Sequence, residues 1–305
     1  MKTILNLWKQ WWNFWAGPID PIRLDTFRLL IGISLFCYIA AWWQHAAEWL
    51  TPVGFHVSPA ADWSSPDFLP LPVGWLPLFG VLYFGSILAW TLGIATPWTT
   101  WLTLAGTIYV TFVDVFSAYT LNKFYIIILS IFACTKSATY WTPFPKAPRL
   151  RSAWALRIFQ LTLVVHYFIT GYTKAFRGDW LQNPNTLWSQ IQGLYMTDFA
   201  AWLLNHLPLG CFSWMQYAAL SFEIFSPILF IVPALRPLGI LWGFTFQMLV
   251  AVSMEQLIYF SFQMICFYVL FIEERTLHAV RLASKNFLSS LSRQFDALAG
   301  QIFSD

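Results

Sequence analysis

Of 305 residues, 58% are hydrophobic, 20% aromatic and only 10% charged, against roughly 25% charge in soluble domains. This excludes an ordinary soluble domain and indicates an all-α, polytopic integral membrane helical bundle, since helices satisfy their own backbone in lipid. The net charge of +3 is scattered, no glycine-rich phosphate loop is present, and the four cysteines form no CxxC pair, so neither nucleic acid, a disulfide framework nor a metal is expected.

Residues 1–22 are expected to form an interfacial amphipathic helix. Ile4, Leu5, Leu7, Trp8, Trp11, Trp12 and Trp15 fall mostly on one side, with Lys2, Lys9, Gln10 and Asn13 elsewhere, the pattern of a helix lying in the membrane surface. No cleavable signal peptide is expected, because MKTILNLWKQWW lacks a compact apolar run followed by a small-residue cleavage site. Gly17-Pro18 ends this element and Asp20-Pro21 starts the next.

Residues 23–272 are expected to be the transmembrane bundle. They hold about eight apolar segments, at 26–43, 75–92, 98–116, 124–135, 154–173, 214–232, 238–253 and 257–272; a bilayer core requires roughly 20 residues per helix, fewer where a segment packs inside protein. Residues 273–305 mix Arg275, Arg281, Lys285 and Arg293 with Leu277, Val280, Leu288 and Leu291, which predicts a cytoplasmic amphipathic tail.

The loop richest in basic residues contains Lys136, Lys146, Arg149 and Arg151 and no acid, so it is expected on the cytoplasmic side. Counting spans from it places both termini there. The same count puts Lys174, Arg177 and Asp179 at the outer end of the fifth span. Residues 44–72, with Glu48, Asp62 and Asp67 but no lysine or arginine, fit an outside loop. Residues 181–212 are semi-apolar and are expected along the outer interface.

Charges inside membrane segments cost about 3 kcal/mol each at a helix centre unless they find a partner, a cavity or the interface. Arg28 and Arg157 lie near the cytoplasmic ends of their spans and are expected to snorkel. Asp114 and Lys123 bracket a short outer connection and suit an ion pair. Glu223, about ten residues into its span, is either neutral, paired, or a bridge between helices. Gln247 and Glu255 lie about 80° apart on a continuous helix, so both can face one cavity. His166 shares a stripe with Thr162, Thr170 and Thr173, where it is either a satisfied interhelical hydrogen bond or a ligand or base. Lys174 follows Gly171 and precedes Trp180: either it snorkels beside aromatic anchors, or its amine sits in an apolar pocket as a base.

Several segments together resemble the horizontally transferred transmembrane domain family, which includes the vitamin K-dependent gamma-carboxylase. They are DPIRLDTFRLLIGISLF, LAWTLGIATPW, RIFQLTLVVHYFITGYTKAFRGDW and SFEIFSPILFIVPALRPLG, in chain order. The resemblance implies a bacterial membrane location, a quinol or quinone cofactor, and Lys174 in the place of the amine that deprotonates the hydroquinone. Lys123 and Gln247 stand where the carboxylases carry histidines. The short bacterial members that this chain resembles include companions of peptide-toxin maturation systems, which implies a secreted peptide or protein substrate and a partner protein alongside membrane lipid. The function expected is modification or maturation of a peptide at the outer face, with Lys174 as the base and Glu223, Gln247 and Glu255 in the pocket. The alternatives are a non-enzymatic subunit that binds a lipid, quinone or partner protein, and, third, a transporter, for which no matching pair of broken half-helices is visible.

Overall fold

The computed structural model describes residues 2–54, 68–114, 119–135, 137–144, 147 and 149–302, with 2–5, 288 and 291–302 as backbone alone. Parts of the expectations lie outside the described residues: Asp62 and Asp67 of the acidic loop, Phe116 at the end of the third segment, and Lys136 and Lys146 of the basic loop. The side chains of Leu288, Leu291 and Arg293 in the tail do so too.

Each of the eight apolar segments corresponds to a helix, and shorter helices lie between them. They run α1 (Lys2–Ala16), α2 (Ile22–Trp43), α3 (Ala46–Leu50), α4 (Leu76–Thr91), α5 (Thr96–Phe112), α6 (Thr120–Ala133) and α7 (Trp154–Phe176). The chain continues with α8 (Thr186–Ile191), α9 (Asp198–His206), α10 (Leu209–Ile231), α11 (Arg236–Ser253), α12 (Ile258–Phe267) and α13 (Glu274–Ile302). Pro97 and Pro237 stand near the starts of α5 and α11, where a missing N–H costs nothing. By length and composition four helical stretches can cross a membrane, Ile22–Trp43, Val73–Thr91, Leu209–Ile231 and Pro233–Ser253. A fifth candidate is a bent pair, Glu255–Phe271 and Glu274–Phe287, turned by 112°. That bend separates the tail helix from the bundle.

The helices present apolar side chains outward as well as inward. Val81, Leu102, Ile228 and Leu241 are each more than half exposed, as suits a surface bathed in lipid. On α1, Trp8, Trp11 and Trp12 are exposed together, the face expected for an interfacial helix. Aromatic rings meet within the interior: Phe27 meets Phe267 at 4.8 Å and Phe159 at 4.9 Å between ring centroids, and Phe132 meets Phe159 at 5.1 Å. Offset and edge contacts of this kind add about 0.5–1.5 kcal/mol per pair to simple burial.

One arginine departs from the expectation of snorkelling. Arg28 is fully buried, and its guanidinium donates to the carbonyls of Trp90, Thr91, Tyr140 and Trp141 at 2.5, 2.7, 3.2 and 3.1 Å. One turn earlier, the buried carboxylate of Asp25 accepts from the backbone N–H of Ala138, Thr139 and Tyr140 at 3.0, 2.7 and 2.7 Å. The pair satisfies the loop after α6 and the end of α4, whose backbone would otherwise be buried unpaired. Arg157 docks α1: it lies 4.5 Å from the Phe14 ring centroid and donates to the Phe14 carbonyl at 3.4 Å and to Gln160 Oε1 at 2.9 Å. A two-residue antiparallel pairing of β1 (Pro18–Ile19) with β2 (Arg151–Ser152) fixes the same corner.

Candidate functional site

The most extensive helix pair is α7 with α10, and Gly171 sets their separation. A Cβ there would lie 2.7 Å from Glu223 Cβ and 3.0 Å from the Ile224 amide nitrogen. Only a residue without a side chain permits this approach. Lys174, one turn further along α7 and so on the same face, then meets Glu223 directly: Nζ lies 2.7 Å from Oε1. The Glu223 side chain is 3% exposed and that of Lys174 is 26% exposed. The ammonium also stands 4.6 Å from the ring centroid of Trp180, itself buried, a cation–π contact.

This pair forms part of the wall of a cavity of about 580 Å³, within the range of small-molecule sites. Most of the wall is apolar or aromatic, with Tyr38, Trp42, Leu187, Phe246 and Phe260 among its residues. His166, Tyr167, Glu223 and Gln247 also line it. Gln247 Nε2 donates to Tyr167 Oη at 2.8 Å, and Tyr167 Oη lies 2.6 Å from Tyr268 Oη. Glu223 Oε2 and Gln247 Oε1 are buried without a hydrogen-bond partner among the described residues. Turning the Gln247 amide over changes which of its atoms is orphaned, not the fact of one.

The residues singled out from sequence divide into those the fold gathers and those it does not. Lys174, His166, Glu223 and Gln247 share the chamber. Glu223 both pairs with Lys174 and, through the same contact, bridges α7 and α10. Among the described residues His166 makes no interhelical hydrogen bond through its ring; it packs edge-on to Phe124 at 4.7 Å and to Phe260 at 5.9 Å. Thr170, expected beside it as a bonding stripe, donates to the His166 backbone carbonyl instead. Glu255 is exposed and outside the chamber wall. The reason is local: α11 ends at Ser253, and the 3₁₀ turn Glu255–Leu257 breaks the continuous helix that would have aligned Glu255 with Gln247. Lys123 is exposed on α6, and no ion pair joins it to Asp114 among the described residues. Asp114 is buried and lines a second cavity, of about 720 Å³, with His45, Glu48 and Asn122. The two cavities share Tyr38, Trp42 and Tyr119. Among the described residues no group of three His, Cys, Asp or Glu side chains is placed to hold a metal ion.

One residue that sequence reasoning passed over joins the site. Gln216 on α10 is fully buried and bonds the backbone that leads from Trp180 to Leu187. Its signal was available: a glutamine inside the apolar run LGCFSWMQYAAL, two helical turns before Glu223. Comparison of the chain with protein-family models, with curated proteins and with solved structures gave no match.

Proposed function

We propose that this chain is a multi-pass membrane protein of about eight spans, with both termini cytoplasmic, whose Lys174–Glu223 pair moves a proton to or from an amphipathic ligand held in the chamber at the outer face. In this reading it serves the modification or maturation of a peptide or protein, as the resemblance to the horizontally transferred transmembrane domain family implies. The observation that carries the reading is the 2.7 Å contact between Lys174 Nζ and a buried carboxylate in the wall of an apolar cavity. A proton can pass along such a contact. The pair, rather than an isolated amine, is therefore the unit that accepts or releases one. The adjoining second cavity supports the reading as well, since it leaves room for a second reactant next to the first.

The chamber's residues fit a quinol. A flat ring suits the aromatic wall, and the orphaned Glu223 Oε2 and Gln247 Oε1 are acceptors that its hydroxyls would satisfy. Lys174, Glu223 and Gln247 would hold it, and when bound it would supply reducing equivalents. Lys174 and Glu223 position the proton, and the Trp180 ring lies against the ammonium.

A second reading, of a non-enzymatic subunit that binds a lipid, quinone or partner, is favoured by one feature: Lys174 is already engaged by both a carboxylate and an aromatic face, as a structural cation would be. Lys174→Arg separates the two, because guanidinium keeps the positive charge and the donors but stays protonated. Proton transfer requires that Lys174→Arg and Lys174→Met both abolish complementation of a strain lacking the gene while the proteins insert and fold normally. Retained activity in Lys174→Arg removes proton transfer by the lysine and leaves the binding reading.

A further inference from the structure

Residues 177–185 form the strap that joins α7 to α8, and Trp180 on this strap and Leu187 on α8 both line the chamber. The backbone of those same two residues is held by one side chain. Gln216 accepts from Leu187 N–H at 2.9 Å through Oε1, and through Nε2 donates to the carbonyls of Trp180 and Asn183 at 2.7 and 2.9 Å. An uncharged side chain with both an acceptor and a two-proton donor is needed for this set, which asparagine is too short to span and glutamate cannot complete.

Gln216 and Glu223 lie two turns apart on one face of α10. That single face therefore holds the carboxylate that pairs with Lys174 and the amide that pins the ring above Lys174. Around the ring, Trp180, Ala175, Ala219 and Leu220 form a buried cluster separate from the main core. A small satellite cluster of this kind can open at lower cost than the core it adjoins.

We propose that Gln216 is a positioning residue that latches the strap shut, acting through Trp180 on the Lys174–Glu223 pair, and that this strap is the part of the wall that opens to admit the chamber's ligand. The proposal rests on the reading of the chamber as a ligand site. Its test requires no ligand. The full-length protein in detergent is treated with acetic acid N-hydroxysuccinimide ester, and acylation of Lys174 is timed by peptide mass spectrometry. Alkylation of Cys266 by N-ethylmaleimide is followed in parallel, because Cys266 is 2% exposed in the main core and reports global opening.

Gln216→Leu is expected to accelerate acylation of Lys174 roughly tenfold or more, as loss of three hydrogen bonds implies, with Cys266 unchanged. Trp180→Leu, which leaves the Gln216 bonds in place, is expected to accelerate it similarly. The double variant should be no faster than the faster single, since both act through one contact. Gln216→Glu keeps the acceptor for Leu187 N–H but turns an oxygen toward the two carbonyls in place of a donor, so it should accelerate acylation at least as much as Gln216→Leu. Unchanged Lys174 acylation in Gln216→Leu overturns the latch, as does parallel acceleration at Cys266 or additivity in the double variant. If Gln216→Leu does not fold, wild-type rates in Gln216→Glu and Trp180→Leu overturn it equally. Acylation reads strap closure alone, so its failure leaves proton transfer standing, and retained activity of Lys174→Arg leaves the latch standing.

Discussion

Removing either member of the Lys174–Glu223 pair should not cost the same, because the two are buried to different extents. In Lys174→Met the Glu223 carboxylate, 3% exposed, loses its one observed donor. Stranding a buried charge in this way costs about 3–5 kcal/mol. In Glu223→Gln the lysine retains a neutral acceptor, the face of Trp180 and a partly open side chain, 26% exposed. A loss of about 1 kcal/mol is expected there, the scale of a partly exposed pair and a hydrogen bond. The double variant, Lys174→Met with Glu223→Gln, leaves no charge to strand and should be more stable than Lys174→Met alone. The assay is thermal unfolding of the detergent-solubilised proteins followed by circular dichroism, with wild type and the three variants compared as a cycle. Equal stability of the two single variants, or a double variant less stable than Lys174→Met, would refute the claim that Glu223 is shielded from water and held by Lys174.

Three further outcomes follow from particular contacts. Gly171→Val should separate α7 from α10, with a cost of about 1–3 kcal/mol from overpacking, and should quicken acylation of Lys174; unchanged stability and labelling would show that the seam has slack at that point. Asp25→Asn should destabilise by at least about 2 kcal/mol in thermal unfolding, because a carboxylate that accepts three backbone N–H bonds is replaced by a group that presents N–H to them, and a near-neutral effect would contradict the clamp. In a background without Cys37, Cys134, Cys211 and Cys266, with single cysteines at the exposed positions Leu150 and Leu194, an impermeant maleimide should label Leu194→Cys in sealed cells and Leu150→Cys only once the membrane is opened; labelling of both in sealed cells would overturn the proposed orientation.

The positions of the main helices were legible in the sequence because they depend on local signals, apolar runs and their Pro and Gly punctuation. Each of the eight segments overlaps a helix, including α6, which has only 14 residues. What was not legible depends on contacts distant in the chain. Arg28 looked like an interfacial arginine because its carbonyl partners are 62 to 113 residues away. Glu255 was placed beside Gln247 by a helical spacing that the turn at Glu255–Leu257 interrupts. Lys174 and Glu223 were each visible as out-of-place charges, but not that they meet, 49 residues apart, across the gap that Gly171 leaves. Gln216 escaped notice for the opposite reason. An uncharged amide in an apolar run attracts less attention than a charge, although it must still satisfy its hydrogen bonds once buried.

The central claim, that the chamber beside Lys174 and Glu223 is a ligand site, is tested most directly by calorimetric titration of menadiol, a flat hydroquinone, into the protein in lipid nanodiscs without oxygen. Wild type should bind saturably. Ala219→Phe, which fills the chamber from α10 without removing either member of the pair, should abolish that binding, and Glu223→Gln should weaken it about tenfold, the scale of one charge-assisted hydrogen bond. No saturable binding by wild type, or equal affinity in wild type and Ala219→Phe, would contradict the account.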